Sequence, residues 1–242
     1  MAAYELYYWP GLQGRGEFVR LALEEAGVAY RDVAKEGSGG EASGIVAAAL
    51  GDRGIATPPF APPVLKHGRR IIGQTAAILL YLGDRHGLAP KTETGRLWTH
   101  QLQLTIADAV TEAHDTHHPI ASRLYYEDQK PEAKRRAEDF CRCRMPKFLN
   151  WFETVLDRNP RGRGHLVGAR ATYAELSLFQ LVSGLTYAFP KASRTVLRKT
   201  PKVAALAETV AARPRIAAYL ASARRIPFNE YGIFRHYPEL DL

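Results

Sequence analysis

The pattern of this chain predicts an α/β domain followed by an all-helical one, and three observations carry that division. Residues 1 to 88 alternate short apolar runs with helical stretches in the order β-α-β, then β-β-α. Within them a hairpin turning at Gly68 runs straight into the apolar helical segment Thr75 to Leu82. From Thr94 onward only helical periodicity is found. At 242 residues, 46% of them hydrophobic, the chain has material for two cores. The expected domains are 1–88 and 94–242.

Each element has its own local reason. Tyr4 to Trp9 is rich in aromatics and reads as a strand, which Pro10-Gly11 breaks. Gly14 to Ala26 recurs helically through Phe18, Leu21, Ala22 and Leu23, and Gly27 stops it. Lys35 to Pro62, with Gly37-Ser38-Gly39-Gly40, an alanine run and Pro58-Pro59, reads as a long mobile connection holding a short helix near Ile45 to Leu50. Helices are expected at Glu93 to Ser122, Pro131 to Leu156, Thr172 to Tyr187, Pro201 to Ala212 and Arg213 to Arg224. Thr172-Tyr173-Ala174-Glu175 is a capping box, and Pro214 sits where a first-turn proline is harmless.

The segment Pro62-Pro63-Val64 to Gln74-Thr75 carries the sharpest chemical signal. A proline entering a strand removes a ladder donor, so it is tolerated where something else uses the neighbouring backbone. A cis Pro63 would turn the N–H and C=O of Val64 outward, at what reads as a sheet edge, ready to pair with an extended peptide. The first turn of the helix at Thr75 adds unpaired N–H groups, a positive dipole end and a hydroxyl, which suit a carboxylate. Held at a fixed separation, the two features fit a small anionic peptide.

At this point the chain resembles the glutathione transferases, whose thioredoxin-like domain carries a cis-Pro and a Gln-Ser or Gln-Thr pair at this spacing. The resemblance implies an α/β thioredoxin-like N-terminal domain followed by an all-α helical C-terminal domain. The capping box at Thr172, where the family more often has Asp than Glu175, and Ala212-Arg213-Pro214-Arg215-Ile216-x-x-Tyr219-Leu220 extend it over nearly the whole chain.

A reactive residue is then expected where the first strand enters its loop. The only cysteines are Cys141 and Cys143 and the first serine is Ser38, which disfavours the Cys and Ser branches of the family. Tyr8-Trp9-Pro10, followed by Gly14-Arg15 and Arg20, resembles the entry of the mu, pi and sigma classes with one extra loop residue, so Tyr8 matches the catalytic tyrosine. Strand alternation puts Tyr4, Leu6 and Tyr8 on one face and Tyr7 on the other. Tyr7 is the alternative if the inserted residue shifts the register by one. A free thiol of pKa ~8.5 is only a few per cent ionised at neutral pH, so a hydrogen bond donated to the sulfur raises the fraction of the nucleophilic thiolate.

Carried over position by position, the resemblance implies that Arg15 lies near the γ-glutamyl end of glutathione and that Pro63 and Val64 present the pairing backbone. Gln74 and Thr75 would hold the γ-glutamyl carboxylate, and Asp108 would reach the γ-glutamyl amine bound by the partner subunit of a homodimer. Trp9, Leu12, His114 and His118 are expected to line the pocket for a hydrophobic electrophile. For the glycyl carboxylate only Lys35 and Arg53 are candidates, and Ala61 stands where a Gln is common.

Other signals exclude more than they assign. His114, His117 and His118 share a helix face and a metal there is conceivable, but transferase chemistry requires none, so no metal is expected. The net charge of +8 comes from blocks such as Arg135-Arg136 and Arg224-Arg225. They are interleaved with Asp and Glu and lack aromatic partners in register, which argues for solvated helix faces over a nucleic-acid surface. Two cysteines at i and i+2 cannot bridge on a helix. With no leader-like segment and no apolar run of spanning length, a cytoplasmic protein is expected, without a membrane partner.

Overall fold

Strand alternation along Tyr4–Tyr7 (β1) buries Tyr4 and Leu6 on one side and leaves Glu5 and Tyr7 half-buried on the other. Around it, in a computed structural model that describes residues 4–36, 38–162 and 164–241, forms a four-stranded sheet. Its order is β2-β1-β3-β4, with β2 at Tyr30–Asp32, β3 at Val64–His67 and β4 at Arg70–Gly73. β1 pairs parallel with β2 and antiparallel with β3, and β3 closes the hairpin with β4. The buried residues of α1 (Gly16–Ala26) and α3 (Thr75–His86), among them Phe18, Leu21, Ile78 and Leu82, join Tyr4, Leu6 and Leu65 in one core. Between β2 and β3 lies α2 (Gly39–Leu50).

The helical half comprises α4 (Glu93–Asp115), α5 (Lys130–Asp139), α6 (Met145–Arg158), α7 (Tyr173–Ala188), α8 (Pro190–Leu197), α9 (Pro201–Ala211) and α10 (Pro214–Leu220). α7 is buried on almost every side and packs against α1, α4, α8 and α9, so the core runs without a break from one half into the other. Thr172 and Glu175 form the expected box: Glu175 accepts from the Thr172 N–H at 2.7 Å and from the Leu166 N–H at 2.8 Å, while Thr172 Oγ1 accepts from Ala174 N–H at 3.2 Å.

Several boundaries differ from the sequence expectation, each for a local reason. α4 stops at Asp115, short of Ser122, because Thr116 turns back onto the Ala113 carbonyl and Pro119 disfavours helical backbone at His118. The stretch expected as one helix from Pro131 is α5 and α6 joined by a π-helical turn at Phe140–Arg144. α2 begins at Gly39 because Ser38 and Glu41 make a capping box that offsets the glycines. α10 ends at Leu220, where Ser222 donates to the Tyr219 carbonyl at 2.7 Å. The unexpected helix is α8, whose first N–H groups, Lys191 and Ala192, donate to Asp241 at 2.9 and 3.1 Å.

Beyond α10 the chain returns to the first domain. The Ile226 carbonyl accepts from Gln13, Asn229 donates to the Gly11 carbonyl at 2.8 Å, and the Ile233 carbonyl accepts from His117 at 2.8 Å. Phe228 stacks on Tyr187 of α7. A buried ionic knot secures this return: Arg20, fully buried, pairs with Asp32 at 2.7 Å and Glu17 at 3.3 Å, and Tyr219 and Arg225 both bind Glu17. Neither Cys141, which is buried, nor Cys143, which is exposed, is in a disulfide among the described residues. No helix among the described residues is long and apolar enough to cross a membrane.

Candidate active site

The alternation of β1 continues one residue past its end, so Tyr8 faces the same way as Tyr4 and Leu6 and is only 6% exposed. Its hydroxyl accepts the backbone N–H of Arg15 at 2.8 Å, which leaves the hydroxyl proton free to be donated elsewhere. Burial pushes the Tyr8 pKa up, against the opposing pull of the Arg15 N–H and the Arg15 and Arg20 charges, so at neutral pH the group is a protonated donor. Tyr7 points to the other face, where its hydroxyl donates to Glu5 at 3.0 Å beside Lys66 and Arg31.

Two glycines shape this pocket. Gly14 has φ +42°, and a Cβ there would stand 2.1 Å from the Tyr8 hydroxyl. One at Gly16 would meet the ring at 2.6 Å. The spacing Gly14-Arg15-Gly16 at the mouth of α1 is therefore a contact with the tyrosine, a meaning the sequence reading did not give it.

The Pro62-Pro63 bond is cis. Val64 is buried at the start of β3, where it stands opposite Tyr7 on one side and Gly73 on the other. The sequence reading placed it at a sheet edge. That is corrected: β3 is an interior strand, because the hairpin partner β4 covers the side away from β1. Gln74 is exposed and holds φ +65°, the only described residue other than glycine with positive φ, a strain of about 1–3 kcal/mol of the kind kept at functional positions. Thr75 opens α3 and its hydroxyl donates to the Arg15 carbonyl at 3.4 Å.

Arg15 thus draws three elements together. Its N–H holds Tyr8, its C=O holds Thr75, and its guanidinium donates to Thr111 of α4 at 3.2 Å. A cavity of about 20 Å³, room for one water, lies here between Arg15, Phe18, Thr75, Gln103 and Val110. The chemistry of the place is a neutral hydroxyl donor, a guanidinium and a helix N-terminus, the complement of an anionic ligand.

Other expected residues fall around this centre. Trp9 is 38% exposed and Leu12 half-buried on the loop after β1. His114 lies one turn from Thr111, and its ring stacks on His118 with centroids 5.0 Å apart. His117 is buried and binds the tail at Ile233. Asp108 is exposed on the outer stripe of α4 that also carries Leu97, 64% exposed, and Leu104, 48% exposed, and among the described residues it has no hydrogen-bonding or ionic partner. Of the glycyl-end candidates, the Lys35 ammonium is engaged by the Arg224 carbonyl and Arg53 is exposed. The tail residues Phe228, Asn229, Ile233 and Phe234 pack against Gln13 and Gly14, a wall the sequence reading left without a role. Their signal was the density of aromatics between 226 and 237.

The model of the glutathione S-transferase C-terminal domain matches residues 114–223. Over 231 residues the chain is 26% identical to glutathione S-transferase P 1 of Xenopus laevis, covering 93% of this chain and 95% of that one. It is 28% identical to the hematopoietic prostaglandin D synthase of Gallus gallus over 222 residues, 91% of this chain and 96% of that one. The solved structure of the Onchocerca volvulus pi-class glutathione S-transferase superposes with a TM-score of 0.72 at 20% identity, covering 95% of this chain and 99% of that one. With the thioredoxin-like sheet and the helical domain behind it, the chain is similar to the glutathione S-transferases along nearly its whole length, and residues 114–223 match their C-terminal domain.

Proposed function

We propose that this protein is a glutathione transferase of the tyrosine type, conjugating glutathione to a hydrophobic electrophile. The observation that carries this is the meeting of Tyr8 and Thr75 on the backbone of Arg15, next to the cis Pro63. In this reading glutathione lies along Val64 with its γ-glutamyl carboxylate at Gln74, Thr75 and the N-terminus of α3. Tyr8 donates to the sulfur, favours the thiolate and keeps its own proton throughout. Arg15 adds positive potential, and Trp9, Leu12, His114 and His118 form the wall met by the electrophile. The reaction needs no metal, and two cysteines outside any disulfide suit a reducing, cytoplasmic setting.

The outer stripe of α4 supports a homodimer. Leu97, Gln101, Leu104 and Asp108 recur on one face, and two exposed leucines beside an unpaired carboxylate are what a partner subunit would cover. Asp108 then meets the ammonium of glutathione held by that partner, and Asp108→Asn weakens glutathione binding without dissociating the protein. Sedimentation showing a monomer of full glutathione affinity defeats this part of the reading.

The enzymatic reading is tested by turnover of glutathione with a chloronitroarene, set against binding of apolar dyes. Dye binding without turnover identifies a non-catalytic ligand-binding protein on the same fold. A second catalytic reading rests on the likeness to a prostaglandin D synthase: the same thiolate serving a glutathione-dependent isomerisation or reduction in place of conjugation.

A further inference from the structure

We propose that His114, His117 and His118 form a binding site for a divalent transition-metal ion of the zinc type at the C-terminal end of α4. Their candidate ligand nitrogens all lie within 4.8 Å of one another, and the Nδ1 atoms of His117 and His118 are 2.5 Å apart. A tetrahedral ion with bonds of 2.0–2.1 Å needs nitrogens about 3.3 Å apart, a value between these separations. Beyond Asp115 the backbone is a turn, so the rings of His117 and His118 are not bound to helical spacing.

The tail fixes the tautomer that a ligand requires. A carbonyl only accepts, so the 2.8 Å contact between His117 Nε2 and the Ile233 carbonyl has Nε2 protonated. Neutral His117 therefore has its lone pair on Nδ1, aimed at His118. A protein carbonyl holding the far nitrogen is the usual outer support of a metal-binding histidine. The surrounding charges balance: Arg235 and Arg15 oppose a cation, while Asp115 and Glu127 favour it.

Imidazole donors suit zinc, copper and nickel, and three of them leave a fourth position for water or a ligand. The ion sits in the pocket wall one turn from Thr111, the anchor of Arg15, and has no part in the proposed conjugation.

The test uses the full chain without a histidine tag, stripped with chelator and titrated with Zn2+ against a chromogenic competitor, with Co2+ as the spectroscopic probe. One equivalent per chain and an intense tetrahedral Co2+ spectrum are expected. Both should be lost in His114→Ala/His118→Ala. The half-exposed single variant His118→Gln, checked for native circular dichroism, should bind at least about tenfold more weakly, since removing even an outer partner of a ligand costs that much. Absence of binding, a weak octahedral spectrum, or unchanged stoichiometry and affinity in the folded His118→Gln protein overturns the site.

Discussion

Replacing Tyr8 with phenylalanine removes one oxygen from a buried ring that otherwise stays in place, so its effect can be worked out in some detail. The hydroxyl is positioned by the Arg15 N–H at 2.8 Å and by the absence of a Cβ at Gly14. A hydrogen bond to a charged group contributes about 1.5–3 kcal/mol, which at ~1.4 kcal/mol per pKa unit moves a bound thiol down by roughly one to two units. For a thiol of pKa ~8.5 lowered to ~6.5, the ionised fraction at pH 7 rises from about 3% to about 75%. Tyr8→Phe should therefore reduce kcat/KM for conjugation by about 10- to 25-fold at pH 7. The deficit should shrink as pH rises, because above pH ~8.5 the thiol ionises unaided. The assay is a pH series of kcat/KM for wild type and variant, with the ionisation of bound glutathione followed by thiolate absorbance. Glutathione affinity at pH 7 should fall only about fourfold, less than kcat/KM, since the bond forms mainly to the ionised sulfur and about a quarter of the bound thiol is un-ionised even in the wild type. A deficit that does not vary with pH, or none at all, refutes the role given to Tyr8. Loss in Tyr7→Phe instead would assign it to the residue that binds Glu5.

Three further outcomes follow from the same geometry. Gln74→Gly relieves a backbone held at φ +65°, so thermal denaturation should show equal or higher stability while calorimetry shows several-fold weaker glutathione binding; a lowered Tm contradicts the strain argument. Gly14→Ala places a Cβ 2.1 Å from the Tyr8 hydroxyl at positive φ, so it should destabilise by about 1–3 kcal/mol and depress conjugation at least as much as Tyr8→Phe, whereas wild-type activity would mean that the loop does not hold the tyrosine. Glu175→Ala leaves the N–H groups of Leu166 and Thr172 without their buried acceptor and should cost about 2–4 kcal/mol in chemical denaturation; a loss under 1 kcal/mol shows the box to be dispensable.

What could be read from the sequence was whatever is encoded within a few residues. The hairpin, its proline, the helix opening at Thr75 and the box at Thr172 are each specified by neighbours in the chain, and so is the alternation that separates Tyr8 from Tyr7. Helix α8 escaped because its cap, Asp241, lies 50 residues from Lys191. The place of Val64 inside the sheet escaped because strand order is a property of the whole domain. The tail over Gly14 and the carbonyl that orients His117 belong to the same class: their partners lie 100 residues or more away, and no local pattern announces such contacts.

The returning tail also orders events during synthesis. The strands, α1 and α3 can pair and pack once the first domain has left the ribosome, since their contacts are close in sequence. The loop carrying Gly11, Gln13 and Gly14 cannot finish, because the groups it bonds, Ile226 and Asn229, are made 213 and 218 residues later than their partners Gln13 and Gly11. A nascent chain can thus hold a nearly complete first domain while the bed of its proposed catalytic tyrosine is still unmade. The proposed thiol-activating centre would come into being late in translation, when the second domain is already there to close over it.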